Sequence, residues 1–263
     1  MNNFSKSIFT HFLLFFKKIF QIEIRRINSK DSIKIVEASP FDLETIAISS
    51  NYSMQSEERI WSIIQSTKYI IANGIKGSFV ECGVYKGGTA IAIARTLFSL
   101  GVVDREIWLF DTFQGMTTPG EFDAHSGSLT LASKLLASTP TGDGQNIWAI
   151  ASLESVREVL REVNYPFELF KFISGDVMTT LTKNIPLEIA LLRLDTDWYE
   201  STKFELQKLE PKVTDRGVII VDDYGHWSGA KKAVDEYFTE INISPLMNYL
   251  DYTGRCWIKC SSS

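Results

Sequence analysis

The sequence predicts an α/β domain, a mainly parallel central sheet with helices on both faces. Three observations carry this. Five short apolar runs lack the in-out alternation of a half-exposed strand and read as strands buried on both faces. Segments of helical period lie between several of them, as crossover helices require. Four of the runs end in aspartate, which lines acids along the rim where ligands of such sheets sit.

In chain order, the first segment is SIFTHFLLFFKKIFQIEIRRI, apolar and basic. Its longest apolar run, Phe12 to Phe16, is far short of the roughly 20 residues that cross a bilayer. Its Lys and Arg follow the aromatics, the wrong order for a secretion signal. Two readings fit residues 7–26. One is a peripheral membrane helix, with Lys17, Lys18, Arg25 and Arg26 near anionic lipid; the other is a helix packed on the domain or on a second copy of the chain. Residues 1–45 are therefore set apart as an amphipathic extension, and residues 46–263 as the main domain.

From about Ser56 to Asn73, Ile60, Ile63, Ile64, Tyr69 and Ile70 recur at mostly helical spacing, and Asn73-Gly74 supplies a C-cap. GSFVECGVYKGGTAIAIARTLFSLG then reads as a buried strand, a glycine turn and an apolar helix ending at Gly101. EIWLFD is the second strand, ending in Asp111, and FELFKFISGD the third, ending near Asp176. IALLRLD is the fourth, ending at Asp195, and GVIIVDD the fifth, ending at Asp222 and Asp223. Between the second and third strands, residues 117–152 turn to Gly, Ser, Thr, Pro and Asp with weak periodicity. A connection of that length beside a presumed site reads as a lid.

A chain of 263 residues with 44% hydrophobic content buries a substantial core, so one large domain with an appendage accounts for it. The net charge of -5, with no clustered Lys and Arg, gives no footprint for nucleic acid. Cys82, Cys256 and Cys260 are too few for a disulfide framework and lack the partners of a zinc site, which fits a reducing cytoplasm.

In ECGVYKGGT, Gly83, Gly87 and Gly88 let the backbone bend tightly and approach a ligand, and the next helix offers its N-terminal NH groups. The spacing is neither the dinucleotide fingerprint nor a phosphate-binding P-loop. Such a turn can hold the carboxylate and sugar of S-adenosylmethionine. Asp111, ending the second strand, is placed to accept from ribose hydroxyls.

The segments NYSMQSEERI, FVECGVYKGGTA, LFDTFQGM, SGDVMTTL, IALLRLDTDWYESTKFEL and VDDYGHWSGAKKAVDEYF together resemble the TylF/MycF/NovP, or macrocin O-methyltransferase, family. These are sugar O-methyltransferases. The resemblance runs from about Asn51 to Phe238. It implies a Rossmann-like class I methyltransferase fold, S-adenosyl-L-methionine as methyl donor, Mg²⁺, a small-molecule or glycan acceptor and a homo-oligomer. Cofactor contacts are expected from Glu81, Gly83, Gly87, Thr89 and Asp111, with Asp176 at the adenine. Ser53 and Met54, with Glu57 and Arg59, lie in a segment that closes over the cofactor in the family; Ser53 stands where relatives commonly have Thr and keeps the hydroxyl.

The acids agree with this resemblance. Asp195, Asp222 and Asp223 end two strands, and three hard oxygen ligands without a Cys or His cluster suit Mg²⁺. Asp197 is the expected general base for a hydroxyl acidified by the metal, and His226 in DDYGHW is expected beside substrate or metal. Each has a plainer alternative: Asp195 and Asp197 as caps of the helix starting near Trp198, Asp222-Asp223 as a turn, His226 and Asp176 as loop residues. The joint occurrence of the acids favours the site. Two rival functions share these features: a catechol-type O-methyltransferase acting on an aromatic diol, and a non-catalytic binding protein that kept the fold.

Overall fold

The computed structural model describes residues 35–141, 146–183 and 185–260. The chain divides into two compact units, Met1–Glu37 and Ala38–Ser263. The amphipathic stretch at residues 7–26 lies outside the described residues.

The second unit opens with α1 (Pro40–Ser50), which runs through residue 45, where the sequence reading ends its extension. Ser39 and Asp42 form a reciprocal capping box and proline occupies the first turn, so three local signals start this helix. Next, α2 (Glu57–Ala72) ends at Asn73, as its sequence predicts, is capped at its start by the Ser56 side chain, and buries Ile60, Ile63, Ile64 and Ile70. Both helices pack on α3 (Gly88–Ser99).

The five expected strands are present as β1 (Ser78–Cys82), β2 (Ile107–Asp111), β3 (Phe170–Ser174), β4 (Ile189–Leu194) and β5 (Val213–Val221). They pair in parallel. Two further strands, β6 (Asn248–Tyr249) and β7 (Arg255–Ile258), extend the sheet antiparallel from β5. They are too short, at two and four residues, to give an apolar run like the others. The order is β3-β2-β1-β4-β5-β7-β6. The winding therefore reverses between β1 and β4, and the crevice at their carboxyl ends is the place for a ligand.

Strand residues alternate between faces. Val80, Cys82, Phe110, Leu192, Leu194, Ile219 and Val221 join one core with Leu206 and Leu209 of α7 (Tyr199–Leu209) and Val234, Tyr237 and Phe238 of α8 (Ser228–Glu240). The alternate residues, among them Phe79, Glu81, Leu191 and Arg193, belong to the opposite face, where α2 and α3 contact β4, β1 and β2. Between β2 and β3 lie α4 (Ala132–Ser138) and α5 (Leu153–Arg161), and the short α6 (Val177–Thr180) follows β3.

The described part of the expected lid is tied down. Ala124 bridges Leu131, and His125 bridges Trp227; Ala132 and Leu136 pack with Trp198, Trp227 and Ala230. No helix among the described residues is long and apolar enough to cross a membrane.

Candidate active site

β1 delivers Glu81, buried, and then turns sharply at Gly83 (φ +85°). A Cβ on Gly83 would lie 2.0 Å from the backbone oxygen of Asp195, so the close approach of β1 and β4 requires glycine here. Gly87 (φ +90°) begins α3 and faces Val156, away from the cavity, which Gly88 and Thr89 line instead. Thr89 accepts from Gln55 Nε2 at 2.7 Å, linking the turn to the segment between α1 and α2 that carries Ser53 and Met54. Both of those residues line the same cavity, Ser53 buried and Met54 exposed.

Asp111 braces the turn. Its carboxylate accepts from Val84 N (2.6 Å), Tyr85 N (3.0 Å) and Phe113 N (2.6 Å). Burial raises its pKa, and these backbone donors oppose the rise. Asp176 caps α6, accepting from Met178 N at 2.9 Å. Gly83, Asp111 and Asp176 share a cavity of about 110 Å³ with Asp195 and Asp197.

The acids at the ends of β4 and β5 are organised by arginine. Arg193 is 1% exposed, one residue from the carboxyl end of an otherwise apolar strand. Its guanidinium reaches Glu81 at 2.6 Å, Asp195 at 2.7 Å and Asp222 at 2.7 Å, joining three neighbouring strands. Asp222 also pairs with Arg59, which in turn contacts Asp251 at 2.9 Å. Asp195, Asp197 and Asp223 each offer an oxygen within 4.8 Å of the others. The acid triad thus differs by one member from the expected ligand set of Asp195, Asp222 and Asp223, because Asp222 is engaged by two guanidinium groups while Asp197 joins the cluster.

This cluster is electrostatically costly. Burial, and then the neighbouring carboxylates Asp222 and Asp223, push Asp195 well above the usual carboxylate range against the pull of Arg193. Burial and Asp197 do the same to Asp223. Burial raises Asp197 to about 7. Asp223 Oδ2 is buried with no hydrogen-bond partner. Carboxylates crowded in this way, one with an orphan oxygen, fit a hard divalent cation, which takes oxygen ligands and favours their ionised form.

His226 stands beside the acids. Its Nδ1 lies 3.0 Å from the Tyr252 hydroxyl and its ring meets that of His125 edge-on at 4.7 Å. Burial lowers its pKa, and His125 adds to the effect. Both histidines, Arg59, Tyr252 and the acids line a cavity of about 570 Å³. Arg193 and Tyr252 were not anticipated. A charge inside IALLRLD was the available signal for Arg193, since a buried strand carries one only when it is paired; nothing in the sequence marks Tyr252.

The family model for macrocin O-methyltransferase (TylF) matches residues 41–259. Demethyldecarbamoylnovobiocin O-methyltransferase of Streptomyces niveus is 34% identical over 207 residues, which is 78% of this chain and 75% of that protein. Mycinamicin III 3''-O-methyltransferase of Micromonospora griseorubida is 26% identical, over 82% of this chain and 80% of that one. Among solved structures, the O-methyltransferase NovP superposes with a TM-score of 0.69 at 32% identity, covering 80% of this chain and 83% of that one. CalS11, calicheamicin methyltransferase, shares the fold at a TM-score of 0.55 and 16% identity, covering 89% and 99%.

Proposed function

The chain belongs to the macrocin O-methyltransferase (TylF) family and is an O-methyltransferase, and from that premise we propose that it methylates a sugar hydroxyl of a small glycosylated natural product, with S-adenosylmethionine as donor and Mg²⁺ at the acid cluster. A further relative, from Streptomyces olivaceus and 28% identical, bears a name that places a rhamnosyl group on its tetracenomycin substrate, which favours a sugar over an aromatic diol. The observation that carries the reading is the convergence of Asp195, Asp197 and Asp223 on the larger cavity.

S-adenosylmethionine supplies a methyl group on a cationic sulfur. In this reading the smaller cavity, lined by Gly83, Asp111 and Asp176, would hold part of it, and Thr89, on the wall of the larger cavity, would flank the sulfur end. Asp111 fixes the turn through the backbone and so shapes the cofactor's bed. Met54, which lines both cavities, and Ser53, which lines the larger, would cover it.

Asp195 and Asp223, common to the expected and the observed acid sets, would hold Mg²⁺. When bound, the ion supplies charge that orients vicinal oxygens and makes a hydroxyl more acidic. Asp222, held by Arg59 and Arg193, sets the charge behind them. Asp197, at about 7, is near the poise at which a carboxylate removes a proton effectively at neutral pH; it takes the acceptor's proton on a carboxylate oxygen. The deprotonated oxygen would then bond to the methyl carbon as the sulfur–methyl bond breaks and S-adenosylhomocysteine leaves, and alignment by the surrounding side chains would provide much of the acceleration. His226, neutral and tied to Tyr252, serves as an acceptor contact in the cavity wall.

The test is calorimetric titration with S-adenosylhomocysteine and with Mg²⁺, followed by methyl transfer into a panel that includes demethyldecarbamoylnovobiocin, mycinamicin III and a simple catechol, with and without EDTA. We expect cofactor and Mg²⁺ binding, EDTA-sensitive turnover of a glycoside, and no turnover of the catechol. Turnover that survives EDTA would remove the metal, and a preference for the catechol would remove the sugar.

A further inference from the structure

The turn that carries Asp197 is unusual. β4 ends with Asp195 N donating to Cys82 O at 2.8 Å, still in sheet register. The chain then reverses over three residues, Trp198 N donating to Thr196 O at 2.8 Å around Asp197, whose φ is +67°. A three-residue turn centred on positive φ is rare and strained for a residue with a side chain. Such a conformation persists only where its surroundings hold it.

Two side chains of α7 supply the hold. Ser201 Oγ reaches Thr196 O at 3.3 Å and Trp198 O at 3.1 Å. One helical turn further, on the same helix face, Glu205 accepts from the Thr196 hydroxyl at 3.0 Å. Glu205 is fully buried, and its carboxyl also lies against the buried Cys82 thiol at the end of β1. Burial pushes it up to about 8, so at neutral pH it is largely uncharged and adds little negative charge to the cluster. An apolar residue would fill this core position without the cost of burying a polar group, and α7 already buries Leu206 and Leu209 beside it.

We propose that Glu205 is a positioning residue which, through the Thr196 hydroxyl, fixes the strained turn and thereby aims the Asp197 carboxylate at the acceptor. The inference rests on Asp197 being the base. It goes beyond that reading by naming a residue, remote from the cavity, on which the base depends.

The test compares Thr196→Val, Thr196→Ser, Glu205→Gln and the double variant Thr196→Val/Glu205→Gln in the full chain, with Asp197→Asn as reference. Turnover is followed with whichever panel glycoside the wild type methylates. S-adenosylhomocysteine affinity and hydrogen exchange at the Trp198 amide are measured without an acceptor. Thr196→Val should lower kcat about ten- to a hundredfold, the scale of a misplacement near 1 Å, with cofactor affinity unchanged and faster exchange at Trp198. Thr196→Ser and Glu205→Gln, which preserve the hydroxyl-to-acceptor bond, should stay within a few-fold of wild type. The double variant should be no slower than Thr196→Val. If Asp197→Asn is slow while Thr196→Val matches wild type in kcat and exchange, the positioning role is wrong and the base stands. Wild-type turnover by Asp197→Asn overturns the base and this inference together.

Discussion

The two halves of the ligand-binding rim are held by different physics. On the β1–β2 side the backbone does the work: Gly83 bends the chain where a side chain would collide with β4, and Asp111 collects three backbone NH groups. On the β4–β5 side charged side chains do it. Glu81, Asp195, Asp197, Asp222 and Asp223 crowd around Arg59 and Arg193, and burial drives several of the acids toward protonation. The first half is complete in the protein alone. The second has more acids than arginines, and in the proposed reading a cation completes it. A cofactor bed built from backbone suits a ligand shared by many enzymes, whereas a side-chain cluster with excess charge suits reaction chemistry, which needs groups poised to gain and lose protons.

If that contrast is right, the largest effect comes from the charged half without loss of structure. Asp197→Asn should lower kcat about a hundredfold to ten-thousandfold, the usual contribution of a general base, while S-adenosylhomocysteine affinity stays near wild type. Thermal unfolding at pH 8 should show no loss of stability, because the substitution removes an acid whose ionisation the fold disfavours. A fall in melting temperature together with activity would mean that Asp197 braces the fold.

Arg193→Met should be the most damaging change to stability. Removing one partner of a buried ion-pair network typically costs about 3–5 kcal/mol, and Arg193 serves Glu81, Asp195 and Asp222 together. Denaturant unfolding of the metal-free protein measures it, and adding Glu81→Gln should recover part of the loss. A loss under about 1 kcal/mol, within the range of an exposed pair, would show that the acids are already protonated or hydrated.

Much of the backbone half was legible in the sequence, and less of the charged half. The five parallel strands announce themselves as apolar runs, α2 by its period and caps, and the glycine turn by its composition. β6 and β7 did not, because residues 248–249 and 255–258 are too few to show a period. The acids could be read as strand ends, since aspartate after an apolar run is a local signal. Their pairing could not: whether Asp222 meets a metal or Arg59 depends on contacts across 163 positions of sequence. The Thr196–Glu205 bond was equally hidden, although the glutamate among buried leucines of α7 was an uninterpreted clue.

The metal-free protein should lose stability as pH rises. Glu81 and Glu205 are buried with pKa values raised from 4.5 to about 7 and about 8, and Asp197 is raised from 3.8 to about 7. A group whose folded pKa is raised contributes stability that is full below its unfolded pKa and lost as pH passes the folded one. The melting temperature in EDTA should therefore fall between about pH 5 and pH 8. The acids with lowered pKa, such as Asp42 and Asp251, act in the opposite sense but below that window. Mg²⁺ at a hundred times its pH 8 Kd should restore about 2.7 kcal/mol at pH 8, and the same concentration should restore less at pH 6, because the ion binds ionised carboxylates. Glu205→Gln should flatten part of the fall even in EDTA. A pH profile of melting temperature that is flat in EDTA would contradict the account of the charged half.

The smallest effect belongs to the backbone half. Asp111→Asn keeps one oxygen for Phe113 but turns an NH₂ group toward Val84 and Tyr85, whose NH groups then lose their acceptor. The cost should be about 1–2 kcal/mol, the scale of a hydrogen bond broken with its donors left buried, and it should not vary with Mg²⁺, since Asp111 belongs to the half completed without the ion. Tyr85 holds a left-handed backbone conformation (φ +51°) at this turn, so loosening it should weaken S-adenosylhomocysteine binding several-fold and leave Mg²⁺ affinity unchanged. Calorimetry on the variant with each ligand separates the two. Equal weakening of both would mean that the turn and the acid cluster form one cooperative unit, with Gly83 against Asp195 as the contact that couples them.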